Sequence, residues 1–260
     1  MKAVPRLDRR GFLSRTTVVG SAFLLASCER LSQSSWWRDV LEVAESWTRR
    51  SQRALLSRDR LAPEYAEADL SPAFKPNGST DPDDPAYRKA ATTGFADWRL
   101  EIGGLVERPA SLSLAELRAL PSRTQITRHD CVEGWSCIGK WKGVPLATVL
   151  RLVGLKPEAR YVVFHCADSL EPALDGSGQY YESIDLFDAF HPQTILAYDM
   201  NDRPLPIPNG APLRVRVERQ LGYKMAKYVM RIEAVESFAA MKGGRGGYWE
   251  DRGYEWYAGI

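Results

Sequence analysis

Pro145-Leu146-Ala147-Thr148-Val149-Leu150-Arg151-Leu152-Val153-Gly154, followed a few residues later by Tyr161-Val162-Val163-Phe164, sets the class of the fold. Proline is tolerated in a first helical turn, Leu146, Val149, Leu150 and Val153 share one helical face, and Gly154 supplies the stop. The next apolar run has strand length and reads as a buried strand. Working outward, residues 194–198, 213–217 and 228–232 are further strands. Upstream, Trp98, Leu100 and Ile102 alternate and then meet Gly103-Gly104, a strand and a turn. Ser113-Leu114-Ala115-Glu116 is a capping box that opens a short helix stopped by Pro121. Short strands and short helices interleave irregularly, with no repeat at periods of roughly 20–50 residues. The expected class is α+β, with mixed sheets and short helices rather than a doubly wound sheet. No G-x-G-x-x-G or Walker loop follows any strand, which withdraws support from nicotinamide and nucleotide chemistry.

The 260 residues suffice for a sizeable core, and 44% hydrophobic with 26% charged excludes a wholly disordered, collagen-like or polytopic membrane protein. With 35 Lys+Arg against 33 Asp+Glu, the concentrated basic excess of a nucleic-acid binder is missing. Residues 1–27 read as an address. Asp8-Arg9-Arg10-Gly11-Phe12-Leu13 precedes an apolar stretch over 16–26, shorter than the about 20 residues a membrane span needs. The pair of arginines resembles a twin-arginine signal, which exports folded proteins to the periplasm. Leu25-Ala26-Ser27-Cys28 resembles a lipobox, with Cys28 the expected lipid anchor. Five basic residues against Asp8 leave with the signal, so the chain's net +2 becomes −2 after cleavage. Residues 28–88 are expected to form a helix, with Trp36, Val40, Val43, Ala44 and Trp47 at helical spacing, and then an extended wrap over 58–88. Residues 89–260 form the main domain. Its tail carries Tyr248, Trp249, Tyr254, Trp256 and Tyr257 and is expected to fold back over the core, because aromatic rings bury large areas.

The densest chemistry lies in Arg128-His129-Asp130-Cys131-Val132-Glu133-Gly134-Trp135-Ser136, where a strand ends. Three readings of Cys131 stay open: a nucleophile, a soft-metal ligand, or a buried small hydrophobe. A nucleophile needs an oriented base, and nothing in the spacing of His129, His165 and His191 supports a cysteine hydrolase. If Cys28 is spent on lipid, Cys131, Cys137 and Cys166 remain, an odd number, and whether Cys137 pairs with Cys166 is left open. A second cluster runs Pro208-Asn209-Gly210-Ala211-Pro212-Leu213-Arg214 and on to Gly222-Tyr223-Lys224-Met225-Ala226-Lys227. Cations beside glycine turns are what a phosphate requires. Taken separately, its pieces read as a turn and a strand with solvated charges.

Together, in this order and spacing, Cys131 to Trp135, Asn209 to Arg214 and Gly222 to Lys227 resemble the molybdenum-cofactor domain of the sulfite oxidase superfamily. Within it they resemble the exported branch that includes protein-methionine-sulfoxide reductase catalytic subunits. The resemblance covers residues 70–240 and implies a molybdenum–molybdopterin cofactor with Cys131 as the protein ligand to the metal. It implies that Asn209, Arg214, Met225, Ala226 and Lys227 hold the pyranopterin and its phosphate. Asn77, in Phe74-Lys75-Pro76-Asn77-Gly78, matches a pterin-contacting asparagine, and Cys166 falls near a further pocket position. Arg128 matches a basic residue that faces substrate, with Trp135 and Tyr181 beside the access funnel. Asp130 departs from the basic residue often found before the cysteine, which weakens the expectation of an anionic substrate. The implied activity is oxygen-atom transfer on a sulfur or nitrogen oxide in the periplasm. The alternatives are sulfite dehydrogenase-type oxidation and an inert lipid-tethered binding protein. No C-x-x-C-H haem motif occurs, so a separate haem or cytochrome electron partner is expected.

Overall fold

The structure is a computed structural model that describes residues 34–55, 60–173 and 176–260. The twin-arginine stretch and Cys28 lie outside the described residues. Two units are distinguished, Met1–Leu55 and Leu56–Ile260. In the first, the expected amphipathic segment forms helix α1 (Ser35–Leu55). Trp36, Val40, Val43 and Trp47 are exposed along it.

The second unit opens with an extended segment that adds hydrogen bonds without forming a strand: Tyr65 N–H donates to Ile126 O and Ser71 N–H to Ile138 O. Helix α2 (Pro85–Thr92) follows, capped by Asp84, whose side chain accepts from Tyr87 N–H at 2.7 Å. The remaining elements in chain order are β1 (Arg99–Gly104), β2 (Ala110–Ser113), α3 (Leu114–Ala119), β3 (Arg123–Cys131), β4 (Trp135–Pro145) and α4 (Leu146–Val153). Then come β5 (Tyr161–Ser169), β6 (Gln179–Asp185), α5 (Leu186–Ala189), β7 (Ile195–Met200), β8 (Arg203–Pro204), β9 (Arg214–Arg216) and β10 (Val229–Val235). Ser113 and Glu116 form the reciprocal capping box that starts α3. Gly154, at φ 69°, ends α4.

Two five-stranded sheets carry the fold. One has the order β2-β1-β10-β5-β6, and the other β3-β4-β7-β8 with β9 added to β7. The pair β1–β10 is parallel while its sheet neighbours are antiparallel, so the architecture is mixed α+β. Strand β5 lies between β10 and β6, and Val162, Val163 and Phe164 are fully buried. Burial on both faces explains why its sequence is a continuous apolar run rather than an alternation.

Arg214 and Arg216 are not solvated strand charges, because both are 0% exposed. Strand β9 pairs with β7 inside the unit, Arg216 is paired with Glu218 at 2.6 Å, and both guanidinium groups lie over the Trp141 ring. The pairing question for the cysteines is also answered: Cys137 sits on β4 in one sheet, Cys166 on β5 in the other, and both are free.

Candidate functional site

Strands β3 and β4 meet in a tight hairpin. Cys131 stands opposite Trp135, and only residues 132–134 close the loop. Gly134 takes φ 83° and its N–H donates to Cys131 O at 3.1 Å, the left-handed third position that such a loop needs. The turn sets Cys131 in the lining of a cleft. Asn77, Gly78 and Ser79 from the extended segment, Asp168 and Leu170 from the end of β5, and Tyr180 from β6 contribute to its walls. Tyr223, Met225 and Lys227 from one loop and Trp249 and Tyr254 from the tail complete them.

The Cys131 thiol is pushed up, first by burial and then by the Glu133 carboxylate, against the pull of backbone N–H groups at Glu133 and Val132. On its own it is a weak nucleophile. A bound metal cation reverses that balance, since a coordinating thiol is deprotonated outright.

Beside the hairpin lies a concentration of buried positive charge. Arg214 donates from Nη1 to Asn209 O at 2.9 Å, yet its Nε and Nη2 have no partner. Asn209 Nδ2, His129 Nε2 and Asn77 Oδ1 are likewise buried without a partner. Lys227 Nζ donates to the carbonyls of Ser79 and Pro208. Burial first, and Arg214 second, push its ammonium down to about 7. His129 is held well below its ordinary range by burial and then by Arg216, Arg214 and Lys227. Gly210, at φ 112°, brings the two cationic side chains together: a Cβ there would lie 3.0 Å from Lys227 and 3.2 Å from Arg214. Each buried, unpaired polar group costs about 1–3 kcal/mol. Several in one nest, most of them donors, describe a binding site for a large polar anion rather than a packed core.

Of the residues singled out in the sequence, Cys131, Asn77, Met225 and Lys227 line the cleft. Asn209 and Arg214 lie in the adjoining buried nest. Ala226 is buried and accepts from Val215 N–H, which ties the loop to β9. Cys166 is buried outside the lining, and its thiol is pushed well up by burial, with Asp168 and Glu182 adding. Arg128 is not brought to the cleft. Three positions from Cys131 on a strand, it points to the opposite face, where it pairs with Asp130 at 2.9 Å. Trp135 and Tyr181 are outside the lining too. Trp135 Nε1 donates to Glu133 and Tyr181 Oη to Asp251.

Sequence reasoning missed Asp168, Ser79, Tyr180, Trp249 and Tyr254. Asp168 carried the one available signal, a carboxylate at the end of a buried apolar strand. It accepts from Ser79 Oγ at 2.6 Å through Oδ2, while Oδ1 is buried and partnerless, and burial pushes its carboxyl upward.

Comparison with known proteins agrees with this chemistry. The family described as oxidoreductase molybdopterin binding domain matches residues 88–240. A putative protein-methionine-sulfoxide reductase subunit YedZ1 of Azospira oryzae is 39% identical over 251 residues, 96% of this chain and 87% of that protein. The protein-methionine-sulfoxide reductase catalytic subunit MsrP of Xanthomonas axonopodis pv. citri is 39% identical over 60% of this chain and 50% of its own length. The chain thus spans about half the length of such MsrP relatives. Among solved structures, the sulfane dehydrogenase SoxCD from Paracoccus pantotrophus matches with a TM-score of 0.49 and 24% identity, over 55% of this chain and 39% of that one. With a cysteine-tipped cleft, a nest of partnerless buried donors and a family match over most of the compact unit, the chain belongs to the oxidoreductase molybdopterin-binding domain family.

Proposed function

We propose that this chain transfers an oxygen atom from an organic sulfoxide at a molybdenum–molybdopterin site, as the catalytic component of a reductase working in the periplasm. The observation that carries the reading is the set of partnerless buried groups, Arg214 Nε and Nη2, Asn209 Nδ2 and His129 Nε2, beside the Cys131 cleft. These groups fit the cofactor. Arg214, Asn209 and Lys227 would hold its phosphate and pterin, Asn77 and His129 would meet the remaining polar edges, and Cys131 would be the protein ligand to the metal. Among the described residues no group of three His, Cys, Asp or Glu side chains could hold a metal ion alone, so the other ligands would belong to the cofactor. When bound, that group supplies two-electron redox chemistry.

The chain's own residues set what can approach. Sulfoxide reduction consumes two electrons and two protons and releases water. Asp168 Oδ1, buried and unpaired, is suited to hold a proton at the cleft wall. With Arg214 and Lys227 taken up by the cofactor, Glu133 leaves a carboxylate in the lining beside Asp168, a balance that disfavours anionic sulfite and suits a neutral sulfoxide. Electrons would come from a separate haem or cytochrome partner. The twin-arginine signal supports export of the folded, loaded protein, and the lipobox supports a tether through Cys28. Among the described residues no helix is long and apolar enough to cross a membrane.

Protein purified from a cofactor-competent host, with dyes as artificial electron carriers, tests the reading. Methionine sulfoxide should be reduced and sulfite should not be oxidised. Sulfite turnover without sulfoxide turnover would favour the dehydrogenase alternative, and absence of molybdenum would favour an inert binding protein.

A further inference from the structure

The family match ends at residue 240, yet two of the cleft's lining residues, Trp249 and Tyr254, come from the tail beyond it. Their rings are stacked, with centroids 5.2 Å apart and planes at 29°. Tyr223 meets Tyr254 edge-on at 5.3 Å, and Tyr248 meets Trp249 edge-on at 5.2 Å. The phenol groups behind this wall are engaged in the protein: Tyr180 Oη donates to Tyr223 O, Tyr223 Oη to Glu255 O and Tyr248 Oη to Glu171. Those three phenols are therefore spent inside the protein, and Leu170, Val132 and Met225 extend the apolar surface across the cleft.

This segment is fixed by more than ring packing. Glu250, next to Trp249, accepts from Lys224, which also donates to Glu182, and all three side chains are fully buried or nearly so. Asp251 accepts from Gly243 N–H and Arg245 N–H, both at 3.0 Å, and from Tyr181 Oη at 2.6 Å. A rigid aromatic surface in the same cleft as Cys131 and Asp168 suits a ligand with one polar and one apolar end. Sulfur and its attached methyl groups contact aromatic rings favourably.

We propose that Trp249 and Tyr254 form the specificity wall of the cleft, taking the methyl and methylene flank of an organic sulfoxide while its oxygen is directed toward the Cys131 side of the cleft. The inference rests on the sulfoxide reading above and adds the residues that select the substrate. The test uses the loaded enzyme and three variants, Trp249→Ala, Trp249→Phe and Tyr254→Ala, with N-acetylmethionine sulfoxide and dimethyl sulfoxide as substrates and methionine sulfone as a non-reacting competitor. For each alanine variant the KM for N-acetylmethionine sulfoxide should rise about tenfold, with the loss falling on KM rather than kcat. The Ki of methionine sulfone should rise in parallel, dimethyl sulfoxide should be affected less, and Trp249→Phe should recover most of the loss. Molybdenum and pterin content should match the unsubstituted protein. Unchanged KM and Ki, or equal losses for both substrates, would overturn the wall. Loss of pterin from the alanine variants would overturn it too, by assigning the rings to the cofactor. An unsubstituted enzyme that carries molybdenum but reduces neither sulfoxide would instead remove the parent reading, and the wall's role with it.

Discussion

Lys227 and Arg214 are held together in a site that lacks enough counter-charge, and this gives the apo protein a specific pH signature. Burial and Arg214 bring the Lys227 ammonium down to about 7, whereas in the unfolded chain it titrates near the ordinary lysine value of about 10.4. Between those two values the unfolded state binds more protons. Stability contributed by this group is therefore present above the unfolded pKa and is lost as pH falls through about 7. A bound polyanion restores the ammonium. Thermal unfolding of cofactor-free protein should show pyrophosphate stabilisation that is largest below pH about 7 and shrinks above it, and Lys227→Met should flatten the dependence. At this scale the strings around Cys131, Asn209 and Arg214 each admit an ordinary structural reading alone and point to a cofactor site only in combination; Cys131 lines the cleft, and Asn209 and Arg214 lie in the buried nest. The resemblance implies a substrate-facing Arg128, but strand alternation sets it on the face opposite Cys131 and outside the cleft lining. Asp168 was not read because a single carboxylate after an apolar strand looks like an ordinary strand end.

The element that decides the chemistry is the β3–β4 hairpin. Its three-residue loop depends on Gly134 at φ 83°, a conformation that a β-branched residue resists. Gly134→Val should destabilise the protein by about 1–2 kcal/mol and lower the molybdenum content of purified protein, because the loop sets the thiol. Calorimetry and metal analysis on the same preparation check both. Helices α1, α3 and α4 were readable from periodicity and caps. Strand β4 was not, since Lys140, Lys142, Gly139 and Gly143 dilute its apolar alternation, and its length comes from pairing with β3 and β7. The extended segment was read as running on to residue 88, whereas α2 begins at Pro85. Asp84-Pro85, an N-cap followed by proline at the first helical position, was the signal that marks it.

Across the whole molecule, the tail is keyed to the sheets through Lys224, Glu182 and Glu250. Burial first and Glu250 second push the Glu182 carboxyl well above its usual range. Removing the cation while leaving both acids is expected to cost about 3–5 kcal/mol, so Lys224→Met should unfold at a clearly lower denaturant midpoint. Adding Glu182→Gln to that variant should recover part of the loss. No local pattern foretells this key, nor the parallel pairing of β1 with β10, where Glu101 stands opposite Arg231. Both join segments far apart in the chain, and local periodicity carries the class of the elements but not their partners. The proposed chemistry requires a bond from Cys131 Sγ to molybdenum. Metal analysis and molybdenum-edge X-ray absorption on the purified holoprotein and on Cys131→Ser test it directly. About one molybdenum per chain, with a protein thiolate in its coordination sphere that disappears in the still-folded serine variant, is the predicted result. An unchanged sulfur shell in that variant, or full turnover by it, would contradict the account.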